Sequence, residues 1–323
     1  MIKEIGSEFH SAVVENASGI PFPRRGSLTF CGRTAIEAVL RKIPQAKTAL
    51  LPSYCCDSMI EPFRRAGISV RFFNVDYDGC LRLKIDENAD ILLWCNYFGF
   101  RNDMPNFDGV IIEDITHSLL SCESHHSKSD YLIASVRKWE PICCGGYCSV
   151  ETEGVTPPAD FVAKKVGAMS LKAEYLDDLD PQKKSLFLSA FAESNEWLAN
   201  NYSGLGIDDH SKEFILNADV KKQREMRRRN ARVLYEGLRG KIDFLFEEEQ
   251  MDCPLFVPIV LHKNRDSIRR HLTDNKIYCP VHWPHPNADC SSNLYGTELS
   301  LICDQRYNEN DMERVVSVIL NKL

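Results

Sequence analysis

No two cysteines in the 323-residue chain stand in Cys-x-x-Cys spacing, although there are 13 of them. That absence excludes zinc ribbons and thioredoxin-type motifs, which require the spacing, and no metal site is expected. Most of these thiols sit in apolar runs, where reduced cysteine behaves as a small buried hydrophobe. A reducing compartment is therefore expected. No apolar run reaches the ~18 residues of a membrane helix. The opening residues, MIKEIGSEFHSAVVEN, lack a basic start followed by an apolar stretch. The expectation is a cytoplasmic protein with no membrane partner. A large excess of either charge is also lacking: 39 Lys and Arg against 46 Asp and Glu give a net charge of −7. Such a chain has no global attraction to nucleic acid, and no nucleic-acid partner is expected. Neither a G-x-G-x-x-G fingerprint nor a Walker pattern occurs, nor any fixed-period repeat.

What is present is enough apolar material for a large core, with 44% hydrophobic residues. β-rich runs alternate with helical patterns in the first half. The strand candidates are 48–52, 68–75, 90–98, 110–114, 131–136 and 146–150. Helical spacing runs from Thr34 to Ile43 and again through Met59, Ile60 and Phe63. Strands that are apolar throughout and separated by helices indicate an α/β fold with a mostly parallel central sheet covered on both faces. The second half reads as a smaller α+β lobe. It comprises one long charged helix over 212–238, strand-like runs at 254–261 and 298–304, a helix over 267–275 and a closing helix. The expected division is an N-terminal arm (1–30), a large α/β domain (31–211) and a small C-terminal domain (212–323).

Several local features carry chemistry, and each has a plain structural reading. Small residues at the helix start Cys31-Gly32-Arg33-Thr34-Ala35 expose backbone N–H groups to a phosphate, or form an ordinary cap. Asp114 closes an apolar strand and points into the ligand crevice of an α/β sheet, or caps the next helix. Lys138 follows another strand and precedes Gly145-Gly146, as an activated amine or a surface charge. The basic run 221–229 lies on an amphipathic helix and reads as its solvated face. His125-His126 reads as loop. His282-Trp283, between prolines, reads as pocket lining. Arg306 at a strand end suits a carboxylate, or pairs with Asp304.

Taken in order, these features resemble the DegT/DnrJ-type sugar aminotransferases, pyridoxal-phosphate enzymes of fold type I. CGRTAIEAVL is similar to that family's Ser-Gly-Thr-x-Ala-Leu segment, and LPSYCCDSMIEPFRRAG to its Pro-Ser-Tyr-Thr-Phe segment and following helix. Asn96-Tyr97-Phe98-Gly99 resembles His-Leu-Tyr-Gly, and Glu113 to His117 resembles Glu-Asp-Ala-Ala-Gln. Ser135 to Lys138 with Gly145-Gly146 resembles the stretch carrying the Schiff-base lysine, and Arg228 to Ala231 with Tyr235 the helix opening the small domain.

The resemblance implies pyridoxal 5'-phosphate as cofactor, with Lys138 as Schiff base and general base and Asp114 beside the pyridine nitrogen. It implies Gly32, Arg33, Thr34 and Ser135 on the phosphate, and Asn96 and His117 on the ring's oxygen side. Cys56 stands where the family stacks an aromatic ring. That leaves Tyr54 or another ring to compensate, or a less tightly held cofactor. The implied activity is transfer of an amino group from an amino-acid donor to a keto-sugar or nucleotide-linked keto-sugar, by a homodimer. Arg306, His282 and Trp283 are the substrate-side candidates. The alternatives are another pyridoxal-phosphate chemistry, such as a lyase or small-amino-acid aminotransferase, and a non-catalytic cofactor-binding descendant.

Overall fold

The computed structural model describes residues 3–100 and 103–323, so Met1 and Ile2 of the expected arm lie outside the described residues. The chain forms a mixed α/β fold whose strands and helices group into two compact units. One holds the residues up to Ser7 with 45–130 and 221–323, the other 8–44 with 131–220.

In the first unit, Val110–Asp114, Ile91–Cys95, Thr48–Pro52 and Ser69–Tyr77 lie side by side in that order, all parallel. Every residue of Ile91–Cys95 is buried, as a strand covered on both faces requires. Register places Cys95 opposite Asp114, so both strands end at one level. The hairpin strand Leu81–Lys84 adds an antiparallel edge that sequence reading did not anticipate. Its residues alternate in exposure, as on a half-covered sheet. Helix Asp57–Arg65 opens on Asp57, closes on Arg64 and Arg65, and buries Met59, Ile60 and Phe63. Its end charges complement the helix dipole. The same unit contains an antiparallel sheet of Asp243–Phe244, Val257–Val260 and Glu298–Leu301, with helices Arg265–Asp274 and Glu309–Leu320.

In the second unit, Ser27–Thr29, Gly146–Cys148 and Tyr131–Ser135 form antiparallel ladders. Residues 151–210 contain a helical hairpin of Ala159–Asp178 and Pro181–Asn200. Leu179 takes a left-handed conformation at the break, and Asp180 caps the second helix on the Gln182 amide at 2.8 Å. The hairpin closes over Phe30 through Phe161 and Trp197, with ring centroids 4.6–6.1 Å apart.

The single helix expected over 212–238 is two helices, Asp209–Asn217 and Val220–Leu238. The N-terminal arm accounts for the break. Amides of Ala17, Gly19 and Ile20 donate to the carbonyls of Asn217, Ala218 and Ile215, ending the first helix. Glu15 accepts from the Asp219 amide at 2.9 Å, just before the second helix begins. Gly19 sits at φ +77, where a Cβ would lie 2.5 Å from the Leu216 carbonyl oxygen.

Candidate active site

The second unit holds the residues assigned to phosphate and aldehyde. Helix Gly32–Leu40 starts from Cys31, whose side chain makes no capping bond to the first-turn amides. Gly146 permits this placement: a Cβ there would lie 2.4 Å from the Cys31 carbonyl oxygen. Ser135 ends the neighbouring strand, with its Cβ 3.4 Å from where a Gly32 Cβ would be. Thr34 turns away and donates its hydroxyl to the Tyr202 carbonyl at 3.0 Å. The Arg33 guanidinium stacks 5.5 Å over the Tyr202 ring. Lys138 ends a single 3-10 turn, Val136–Lys138, between the fully buried Val136 and Trp139. That turn is pinned by Val136 N–H donating to the Gly145 carbonyl at 3.0 Å, while Gly145 donates to Phe30 at 2.6 Å. The Gly-Gly pair thus fixes both the helix start and the lysine turn.

The first unit holds the residues expected on the ring side. Asp114 is buried at its strand end, and Oδ1 accepts the Thr116 amide at 2.9 Å, which closes a local turn rather than capping a helix, since residues 116–120 are turn. His117 Nδ1 accepts the Phe98 amide at 3.1 Å, which fixes its proton on Nε2. Phe98 delivers that amide from a left-handed conformation at φ +58, followed by Gly99 at φ +86. Gly99 is required there, because a Cβ would lie 1.9 Å from the Cys253 carbonyl oxygen. Trp283 stacks on His117 with centroids 5.8 Å apart, and its ring packs tilted against Tyr54 at 5.1 Å. Tyr54 is fully buried in this aromatic cluster. Cys56 is half-buried and caps the helix 57–65, with Sγ 2.9 Å from Ser58 Oγ.

Asn96 is tied into a network that sequence reading missed. Its Nδ2 donates to Glu113 Oε1 at 2.8 Å, to Ser118 Oγ at 2.9 Å and to the Ser124 carbonyl at 3.2 Å. The fully buried Glu113 also accepts from the Ser129 hydroxyl, from His126 N–H at 2.9 Å and from His126 Nδ1 at 2.8 Å. Nothing in the polar stretch around His126 signalled a partner 13 residues away. Burial pushes the Glu113 carboxyl up, but hydrogen bonds from His126, Ser129 and Asn96 outweigh it and hold it below 4.5. A depressed carboxyl contributes stability above its unfolded value, and that stability is lost as pH falls below it. Glu113→Gln is therefore expected to weaken the loss of stability on acidification, read from denaturation midpoints at pH 7 and pH 4. Glu113→Ala is expected to cost about 3–5 kcal/mol at neutral pH.

Arg306 is bound to its neighbour. Nε and Nη2 donate to Asp304 Oδ1 and Oδ2 at 2.9 and 2.7 Å, and Nη1 donates to the Ser7 carbonyl at 3.2 Å. This is the carboxylate pairing weighed against a substrate role. His282 is buried, with Nδ1 2.7 Å from Ser300 Oγ.

No family model matches the sequence, and no curated protein does. Solved structures do match over nearly the whole chain. The apo-form of the putative sugar aminotransferase Spr1654 from Streptococcus pneumoniae has TM-score 0.64 at 10% identity, covering 97% of this chain and 91% of that one. The fold is that of the sugar aminotransferases. CalS13, a sugar aminotransferase from Micromonospora echinospora, gives 0.63 at 14% identity over 94% of this chain and 89% of its own. DesI, solved in the presence of its TDP-sugar product, gives 0.63 at 13% over 95% and 81%. These identities extend to the fold alone; the fold expected from sequence is the one observed.

Proposed function

We propose that the protein is a pyridoxal-phosphate-dependent aminotransferase that moves an amino group from an amino-acid donor to a keto-sugar or nucleotide-linked keto-sugar. The observation that carries this reading is joint. The fold is shared with sugar aminotransferases, and within it Asp114 ends one strand and Lys138 closes the 3-10 turn that follows another. The solved neighbours include Spr1654 in PLP and PMP forms, which supports the cofactor. The residues present fit that group: a helix start whose N-cap side chain makes no capping bond, beside Ser135, suits a phosphate, and a buried carboxylate suits a protonated ring nitrogen.

When bound, the cofactor supplies an electron sink for the donor's amino carbon. The amides of Arg33 and Thr34 and the Ser135 hydroxyl would hold its phosphate. Asp114 would keep the ring nitrogen protonated. Lys138 would hold the aldehyde end and would move the proton at the donor's Cα. Asn96 and His117, each fixed by buried hydrogen bonds, orient the ring's oxygen side, and His282 and Trp283 border the substrate. The division into a cofactor domain over 31–211 and a small domain over 212–323 belongs to this proposal, as does a cytoplasmic location. No helix among the described residues is long and apolar enough to cross a membrane. The direct test is amino transfer from glutamate to a keto-sugar nucleotide, followed by mass spectrometry. No amination of any ketone by a cofactor-loaded protein contradicts the reading.

The proposed assembly is a homodimer. Sedimentation equilibrium is expected to return twice the chain mass under assay conditions; a fully active monomer contradicts it.

A further inference from the structure

Glu298 is an acid with no place in the proposed reaction, yet it is fully buried in the first unit. Its Oε2 accepts the backbone N–H of His282 at 2.8 Å, and its Oε1 accepts the Ser300 hydroxyl. The same Ser300 oxygen lies 2.7 Å from His282 Nδ1. Since the serine has one proton and gives it to the carboxylate, its oxygen is left to accept, and Nδ1 must carry the proton. The imidazole packs against Phe256 at 4.9 Å, Phe98 at 5.3 Å and His117 at 5.8 Å, so its ring plane is fixed as well.

We infer that Glu298 and Ser300 are positioning residues that set the tautomer of His282, leaving Nε2 as a proton acceptor while the carboxylate is ionised. Protonation of Glu298 reverses the chain. The acid then donates to Ser300, the serine hydroxyl donates to Nδ1, and the imidazole proton moves to Nε2. The groups facing Glu298 allow this. Arg265 lies near and donates from Nη1 to the Glu298 backbone carbonyl at 3.1 Å, while the Cys279 thiol, which burial pushes up to about 12, stays neutral. The buried Tyr54 phenol faces the carboxylate and favours its ionised form, as Ser300 does. Burial pushes the Glu298 carboxyl up to about 7, against the opposing pull of the His282 amide, Ser300 and Arg265. An Nε2 in that state accepts a hydrogen bond rather than donating one, and on the aminotransferase reading the donor it suits is a substrate ammonium or hydroxyl; the tautomer itself does not rest on that reading.

The test is nitrogen-15 NMR of histidine-labelled full-length protein at pH 8.5, with His282 assigned by its loss in His282→Asn. Wild type is expected to show Nδ1 protonated and Nε2 bare. In Glu298→Gln the amide oxygen must still accept the His282 N–H, which turns its NH2 toward Ser300. The serine hydroxyl then donates to Nδ1, and the two nitrogen signals are expected to exchange completely. If that variant does not fold, Ser300→Ala replaces it and is expected to lose the Nδ1–H preference. A wild-type proton on Nε2, or the same tautomer in wild type and folded variant, overturns the inference. The measurement needs neither cofactor nor donor. A failed amination assay with the expected tautomers would therefore strike the proposed function and leave this inference standing.

Discussion

Lys138→Ala is expected to abolish amino transfer while leaving the protein folded. Loss of the proton-transferring group alone costs on the order of 10²–10⁴-fold, and loss of the covalent hold on the cofactor adds to it. The fold should tolerate the change, because the turn is pinned by backbone bonds from Val136 and Gly145 and by the buried Val136 and Trp139. The measurement is single-turnover conversion of glutamate by cofactor-loaded protein, repeated with methylamine added. Partial restoration by the free amine is the expected signature of a missing base. Unchanged turnover in the alanine variant would mean that Lys138 is only a half-buried surface charge.

Asp114→Asn is expected to keep the cofactor bound and to lower turnover by roughly 10²–10³-fold, the usual cost of removing one electrostatic partner from a reacting group. The asparagine retains the Oδ1 that accepts the Thr116 amide at 2.9 Å, so the local turn survives. What it lacks is the negative charge that keeps a ring nitrogen protonated. Stopped-flow absorbance with saturating donor separates the two functions of Asp114. A variant as fast as wild type would reduce Asp114 to a turn-forming residue.

The sheet was legible because its chemistry is local. Thr48–Pro52 and Val110–Asp114 are short, apolar and bounded by turn residues, and they fold over the spans their sequence indicates. The candidate site's scaffold was legible at element ends: Gly32 opens a helix, Asp114 ends a strand and Lys138 closes the turn after another. Residues 151–210 were not, because the hairpin's helices bury Phe161, Phe187 and Phe191 at spacings diluted by many charges. The break at Ala218 was invisible for a different reason. It depends on Gly19 and Glu15, some two hundred residues earlier, and periodicity within the helix holds no trace of them. Glu113 and Glu298 were hidden likewise, since each is an ordinary acid in sequence and becomes a buried hub only through long-range partners.

Borohydride reduction of the cofactor-loaded wild-type protein, followed by peptide mapping, tests the central claim most directly. A pyridoxyl group on Lys138, in a peptide spanning the Ser135–Trp139 turn, is the expected result. A label on any other lysine, or a protein that takes up no pyridoxal phosphate, would contradict it.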